Sequence, residues 1–195
     1  VVARATTQGR PYEDISMSDL FFDLETQRSI QEVGGRDASR FKLLRVSVAV
    51  TLSAATNEFK SYTEKDVPAL IADLKTASRV IGFNLKNFDY QVLKAYTAER
   101  LSDLPTLDLL EDLYNKLGFR IGLDALASAT LGVNKSADGL RAIRWFREGK
   151  IDELIAYCRD DVAITQKLFE FGRVNRFVAF VDKYNRKQKV NVNWQ

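Results

Sequence analysis

Three short segments of this sequence hold residues capable of chemistry: Asp23 with Glu25, then Asp89, then Tyr157 with Asp161. Asp23 and Glu25 stand two apart in Asp19–Thr26 (DLFFDLET). On a strand that spacing aims both side chains at the same face. Their neighbours Leu20, Phe21, Phe22 and Leu24 are large and apolar. Two carboxylates side by side in such a setting repel each other and lose hydration, which costs several kcal/mol per unpaired charge. No lysine or arginine lies within the segment, so a bound divalent cation is the simplest compensation; a strand end that reaches solvent is the alternative. The second element is Gly82-Phe-Asn84-Leu-Lys-Asn-Phe88-Asp89. It reads as a β-branched strand running into a polar turn and then a helix with Asp89 in its first turn. Open α/β sheets bind ligands at such strand ends, although Asp89 there could also simply complement the helix dipole. The third element is Tyr157-Cys-Arg-Asp-Asp161. Four residues apart, Tyr157 and Asp161 share a helix face, and Leu154, Ile164 and Leu168 fall on the same arc. Asp160 falls on another arc with Ala156, Ala163 and Lys167 and is expected in solvent. An amphipathic core tyrosine would account for Tyr157 but not for the carboxylate beside it.

The composition restricts what such a site can be. Histidine is absent and Cys158 is the only cysteine. This excludes histidine bases, histidine metal ligands and intrachain disulfides, and it disfavours zinc. Oxygen ligands alone favour Mg²⁺ or Mn²⁺. Cys158 is expected to be an inert packed thiol. A lone cysteine fits a reducing compartment, and the expected location is cytoplasmic. Hydrophobic residues make up 46% and charged residues 28% of the 195 positions, an ordinary profile for one globular domain spanning 1–195. No apolar run is long enough for a membrane span, and the polar stretch from Val1 to Asp19 does not read as a signal peptide. The chain begins with Val and could be a piece of something longer. The net charge of +3 points only weakly to a polyanionic partner. Its distribution says more. Arg173, Arg176, Lys183, Arg186, Lys187 and Lys189 crowd the C-terminal region against Asp182 alone, and Arg141, Arg144 and Arg147 lie on one arc opposite Ala142, Ile143, Trp145 and Phe146. Either set is a solvated surface or a patch that steers nucleic acid.

The elements that must position these groups can be read from the pattern. Strands are expected over Asp19–Thr26, Leu44–Leu52, Glu58–Thr63 and Arg79–Asn84. Helices are expected from Asp66, with Pro68 in the first turn, over Phe88–Tyr96, and from Asp108 to Lys116 with a stop at Gly118. Further helices follow over Leu123–Leu131, Ala137–Glu148 and Ile151–Phe171. Asp108 and Asp124 read as helix caps. Phe177–Val181 and Lys189–Trp194 suggest a terminal hairpin. Strands with crossover helices indicate an α/β fold, a mixed central sheet flanked by helices.

In this order and spacing the three elements resemble the three motifs of the DEDD 3′→5′ exonuclease superfamily, Tyr-type branch, over most of the chain. The second motif matches from Gly82 to Asp89, and Tyr157 to Asp161 gives the third. The sister branch carries His where Tyr157 stands. Leu123 to Gly132 and Lys135 to Gly139 also resemble segments of bacterial RNase H-like exonuclease domains, some of them fused to helicases. The resemblance implies an RNase H-like fold and a two-metal hydrolysis of phosphodiester bonds from the 3′ end of single-stranded DNA or RNA. Asp23, Glu25 and Asp161 would hold one ion. Asp23 would bridge to a second, with Asp89 on that ion directly or through water. Tyr157, neutral near pH 7, would orient the attacking water. Leu24, Thr26 and Glu25 would touch the 3′ nucleotide; Asn84 and Phe88 could line its pocket, with core packing the alternative for Phe88; Lys86, Arg141, Arg144 and Arg147 are candidates for the phosphates. Two other functions stay open: a catalytically silent nucleic-acid-binding module, and a two-metal phosphoesterase acting on short nucleotides.

Overall fold

The computed structural model describes residues 19–133 and 139–195. β1 (Asp19–Thr26), β2 (Val46–Ser53), β3 (Phe59–Thr63), β4 (Arg79–Gly82) and β5 (Thr106–Asp108) form a five-stranded sheet of order β3-β2-β1-β4-β5. β1, β2 and β3 are a meander of antiparallel neighbours; β4 joins β1, and β5 joins β4, in parallel. The helices are α1 (Val67–Thr76), α2 (Asp89–Leu93), α3 (Leu109–Leu117), α4 (Leu123–Leu131), α5 (Gly139–Arg147) and α6 (Ile151–Asn175). A hairpin, β6 (Phe177–Val181) with β7 (Lys187–Asn191), follows. The architecture is the expected mixed sheet flanked by helices, with the C-terminal hairpin in place. Among the described residues, no helix is long and apolar enough to cross a membrane.

The alternation of β1 explains the layering. Phe21 packs with Val50, Leu52, Ile81 and the α6 residues Leu154, Val162 and Phe169. Phe22 and Leu24 face the other way, onto Leu70, Leu74, Val92 and Leu93 of α1 and α2. Phe21 and Phe22 are each 1% exposed, and burying such a ring stabilises the fold by about 1.5–3 kcal/mol. Register is thereby fixed, because a one-residue slip would swap the faces and drive Asp23 into the α1 side. Asp23 and Glu25, in step with Phe21, must look toward α6. Asp19 anchors the start of the strand through a buried ion pair with Arg79 (2.5 Å).

Several boundaries differ from the sequence reading. β2 begins at Val46, because Arg45 has φ +59° and breaks the extended run. β4 stops at Gly82. There the side chain of Leu85 folds back so closely that a Cβ on Gly82 would come within 2.6 Å of it. α2 is a five-residue helix rather than one running to Tyr96. β5 was missed, being three residues long and too short for a periodicity. A 3-10 helix at Ala38–Leu43 was also missed. α6 runs on to Asn175, and β7 starts at Lys187, two residues early. Asp124 does not cap α4: Gly122 holds that position and Asp124 lies inside the first turn. Of the expected helix Ala137–Glu148 and the segment Lys135–Gly139, positions up to 138 fall outside the described residues.

Candidate active site

Asp23 and Glu25 reach the C-terminal half of β1 just where the N-terminal half of α6 crosses it. One carboxylate oxygen from each of Asp23, Glu25 and Asp161 lies within 4.8 Å of the others. Asp161 is 5% exposed and Tyr157 7%. The arc drawn from the sequence is thus the inward face of α6, and Asp160 is exposed as expected. Asp89 arrives from the first turn of α2 and is 2% exposed. Its Oδ1 accepts the backbone N–H of Leu24 at 3.2 Å. Burial, then the neighbouring Asp23 and Asp108 charges, push its carboxyl well above the usual range. A divalent cation would reverse that effect. All five residues line one cleft of about 500 Å³, together with Leu24, Thr26, Arg28, Ser29, Ile30, Gln31, Arg36, Phe83, Phe88, Leu140 and Ile143.

Asp108 positions the second motif. Its carboxylate accepts the backbone N–H groups of Asn84 (2.8 Å) and Lys86 (3.1 Å) on one side and of Leu110 (3.1 Å) and Glu111 (3.2 Å) on the other. One buried side chain therefore caps α3 and clamps the turn after β4, in which Asn84 has φ +72°. The sequence reading saw only the cap. Cys158 is fully buried behind the cluster. Its Sγ lies 3.4 Å from the Asp23 carbonyl oxygen and 3.6 Å from Asp23 Oδ2. Burial first, then the Asp23, Glu25 and Asp161 charges, raise its pKa well above the ordinary value, so it stays a protonated, packed thiol.

The other candidates divide. Leu24, Thr26 and Phe88 line the cleft, and Phe88 also packs edge-on against Phe41 at 5.5 Å. Asn84 lines a neighbouring hollow of about 610 Å³ with Arg120 and Gly122; it shares Ile30, Arg36, Phe83 and Phe88 with the cleft. Its Oδ1 accepts from Arg120 at 2.7 Å. Two phosphate candidates are otherwise engaged: Lys86 pairs with Glu111, and Arg147 pairs with Glu32. Arg141 lies over the Trp145 ring at 4.7 Å, and Trp145 meets Tyr157 edge-on at 6.0 Å. Arg144 is exposed beside an outer hollow. The C-terminal cations do not line the cleft: at 1.5 Å per residue, Asn175 is about 21 Å along α6 from Asp161. The sequence reading missed the loop after β1 (Arg28 to Arg36) as a wall of the cleft. Its mixed polar composition carries no periodicity from which a wall could be inferred.

The donor set suits a hard divalent cation, since carboxylate oxygens are the preferred ligands of Mg²⁺ and Mn²⁺. The sequence profile of the RNase H superfamily matches residues 20–171, and the chain belongs to that superfamily. The motif resemblance to RNase H-like exonucleases agrees with this placement. Among solved structures, the fold is similar to the family B DNA polymerase of the hyperthermophilic archaeon Pyrobaculum calidifontis: TM-score 0.58, 18% identity, 80% of this chain and 24% of that chain. It is also similar to Trypanosoma brucei RNase D: TM-score 0.56, 14% identity, 80% of this chain and 57% of that one. The chain therefore spans about a quarter of the first protein and under two thirds of the second. No sequence among curated proteins matches.

Proposed function

We propose that this chain is a divalent-metal-dependent nuclease that removes nucleotides from the 3′ end of single-stranded nucleic acid. The observation that carries this reading is the convergence of Asp23, Glu25 and Asp161 within 4.8 Å, in a cleft that also holds Asp89 and Tyr157. Asp23, Glu25, Asp161 and Asp89 would hold the cations. Bound there, Mg²⁺ or Mn²⁺ would supply activation of water and neutralisation of charge at the phosphate. Tyr157 lines the cleft, its ring edge-on to Trp145, and would orient the attacking water. Leu24, whose backbone N–H donates to Asp89, and Thr26 line the cleft and would touch the terminal nucleotide. A polymer suits the site better than a mononucleotide ester, because a second hollow, beside Arg120, adjoins the cleft and shares Phe83, Phe88 and Arg36 with it. By the motif resemblance, the chain would work as part of, or beside, a larger nucleic-acid-processing protein such as a helicase.

The test is a 5′-labelled single-stranded oligonucleotide, in DNA and in RNA, incubated with Mg²⁺ or Mn²⁺. A ladder that shortens one nucleotide at a time is expected. It should vanish in EDTA and with Asp23→Ala. Tyr157→Phe should still bind metal, by calorimetric titration, but turn over roughly 100-fold more slowly, the low end of the contribution from a positioned proton-handling group. An undiminished rate for Asp23→Ala would falsify the assignment.

A further inference from the structure

Two walls bound the cleft, and one ion pair ties them together. The first wall is the loop after β1, which contributes Ser29, Ile30 and Gln31; the second is α5, which contributes Leu140 and Ile143. Ser29, Leu140 and Ile143 also line a hollow on the outer side, where Glu32, Arg144 and Arg147 complete the boundary. These three residues are thus the partition between the cleft and the outside. Across the outer hollow, Arg147 donates to Glu32 Oε1 at 2.5 Å. The other oxygen of the same carboxylate, Oε2, accepts the backbone N–H of Ser29 at 2.8 Å, and the Ser29 hydroxyl accepts the Glu32 N–H at 3.3 Å. One carboxylate therefore links α5 to the backbone of a residue that lines the cleft. The base of the loop is held separately, by Gln27 donating to Val46 O (2.8 Å) and Glu64 Oε2 (2.7 Å). The partition itself is apolar on the α5 side, with Leu140 61% exposed.

We infer that the Glu32–Arg147 bridge holds the two walls at a spacing that admits one strand, and so sets the preference of the cleft for single-stranded over duplex 3′ ends. The inference rests on the exonuclease reading of the site. A duplex end brings a complementary strand that would have to occupy the place of the partition. It enters only if its terminal pairs open or the walls part. Both partners of the bridge are substantially exposed (Arg147 52%, Glu32 43%). Such a pair biases closed against open walls by only about two- to five-fold, enough to tune selectivity without sealing the site.

The experiment is a double-mutant cycle with wild type, Glu32→Gln, Arg147→Ala and the double variant, with Arg147→Lys as the conservative control. Cleavage and binding are measured in parallel, on single-stranded and blunt duplex oligonucleotides sharing one 3′ sequence, made in DNA and in RNA. Binding is read by fluorescence anisotropy with Ca²⁺ in place of Mg²⁺. The duplex-to-single-strand ratio should rise about two- to five-fold in each single variant. It should rise no further in the double variant and should stay near wild type in Arg147→Lys. High salt should erase the differences. An unchanged ratio overturns the inference. So does weaker binding of both substrates by Arg147→Ala with no effect of Glu32→Gln, the signature of a phosphate contact. A shifted binding ratio without any cleavage would sink the nuclease reading and leave the bridge standing.

Discussion

Among single residues, Asp89 occupies an unfavourable place for a charge. It is buried, faces Asp23 and Asp108, and its carboxyl is pushed well up. The folded chain thus holds the Asp89 proton more tightly than the unfolded chain does. In metal-free protein its stabilising contribution is fully present below the unfolded Asp pKa, about 3.9. It is lost as pH rises through the higher folded value. The unfolding free energy of wild type minus that of Asp89→Asn should therefore fall as pH rises above about 4, in urea titrations with EDTA. Saturating Mn²⁺ should flatten the curve. A difference that rises with pH would mean that Asp89 is stabilised as a carboxylate without metal. The sequence could show that Asp89 begins a helix at a strand end, and that Tyr157 and Asp161 share a buried face. It could not show that Lys86 and Arg147 are taken by Glu111 and Glu32, because those partners lie 25 and 115 positions away.

Among elements, the turn from β4 into α2 decides how the second motif is presented. Gly82 lets Leu85 fold back, Asn84 takes a positive φ, and Asp108 fastens the turn from the end of β5. Removal of the Asp108 carboxylate loses an N-cap, typically about 1 kcal/mol. It also strands the part-buried N–H groups of Asn84 and Lys86, at roughly 1–3 kcal/mol for the two together, less than two fully buried groups would cost. Asp108→Ala should cost roughly 2–4 kcal/mol by urea denaturation and slow hydrolysis as Asp89 loses its placement. Asp108→Asn keeps an acceptor for the cap and should cost less. Equal losses in the two variants would show that the clamp contributes nothing beyond the charge. Helix caps at Asp108 and Gly118 were legible because capping is local chemistry. The three-residue β5 was not, because its strand character comes from pairing with β4.

For the whole molecule, the sheet separates two apolar layers, one under α6 and the hairpin and the other under α1 and α2. The four carboxylates gather at the margin of the first. Their mutual repulsion is a standing cost to the metal-free fold, so cation binding should stabilise the chain globally. At about 100 times the dissociation constant, one bound ion adds about 2.7 kcal/mol. For a chain of this size that is a rise in Tm of roughly 5–11 °C. Thermal unfolding with Mn²⁺ or Mg²⁺ should show this rise in wild type and lose most of it in Asp23→Asn and Asp161→Asn. An equal rise in those variants would place the bound ions elsewhere.

The sequence by itself determined the α/β class, the sharing of one face by Asp23 and Glu25, the inward arc of Tyr157 and Asp161, and the oxygen-only chemistry left by a chain without histidine. Those properties follow from strand and helix periods and from side-chain inventory, which are local. Only the tertiary structure decided that α6 crosses β1 at the carboxylates, that Asp108 reaches back to the Asn84 turn, and that Glu32 and Arg147 join the cleft walls. Each depends on contacts between distant segments, which follow from how the two faces of the sheet are covered and leave no periodic trace in the chain.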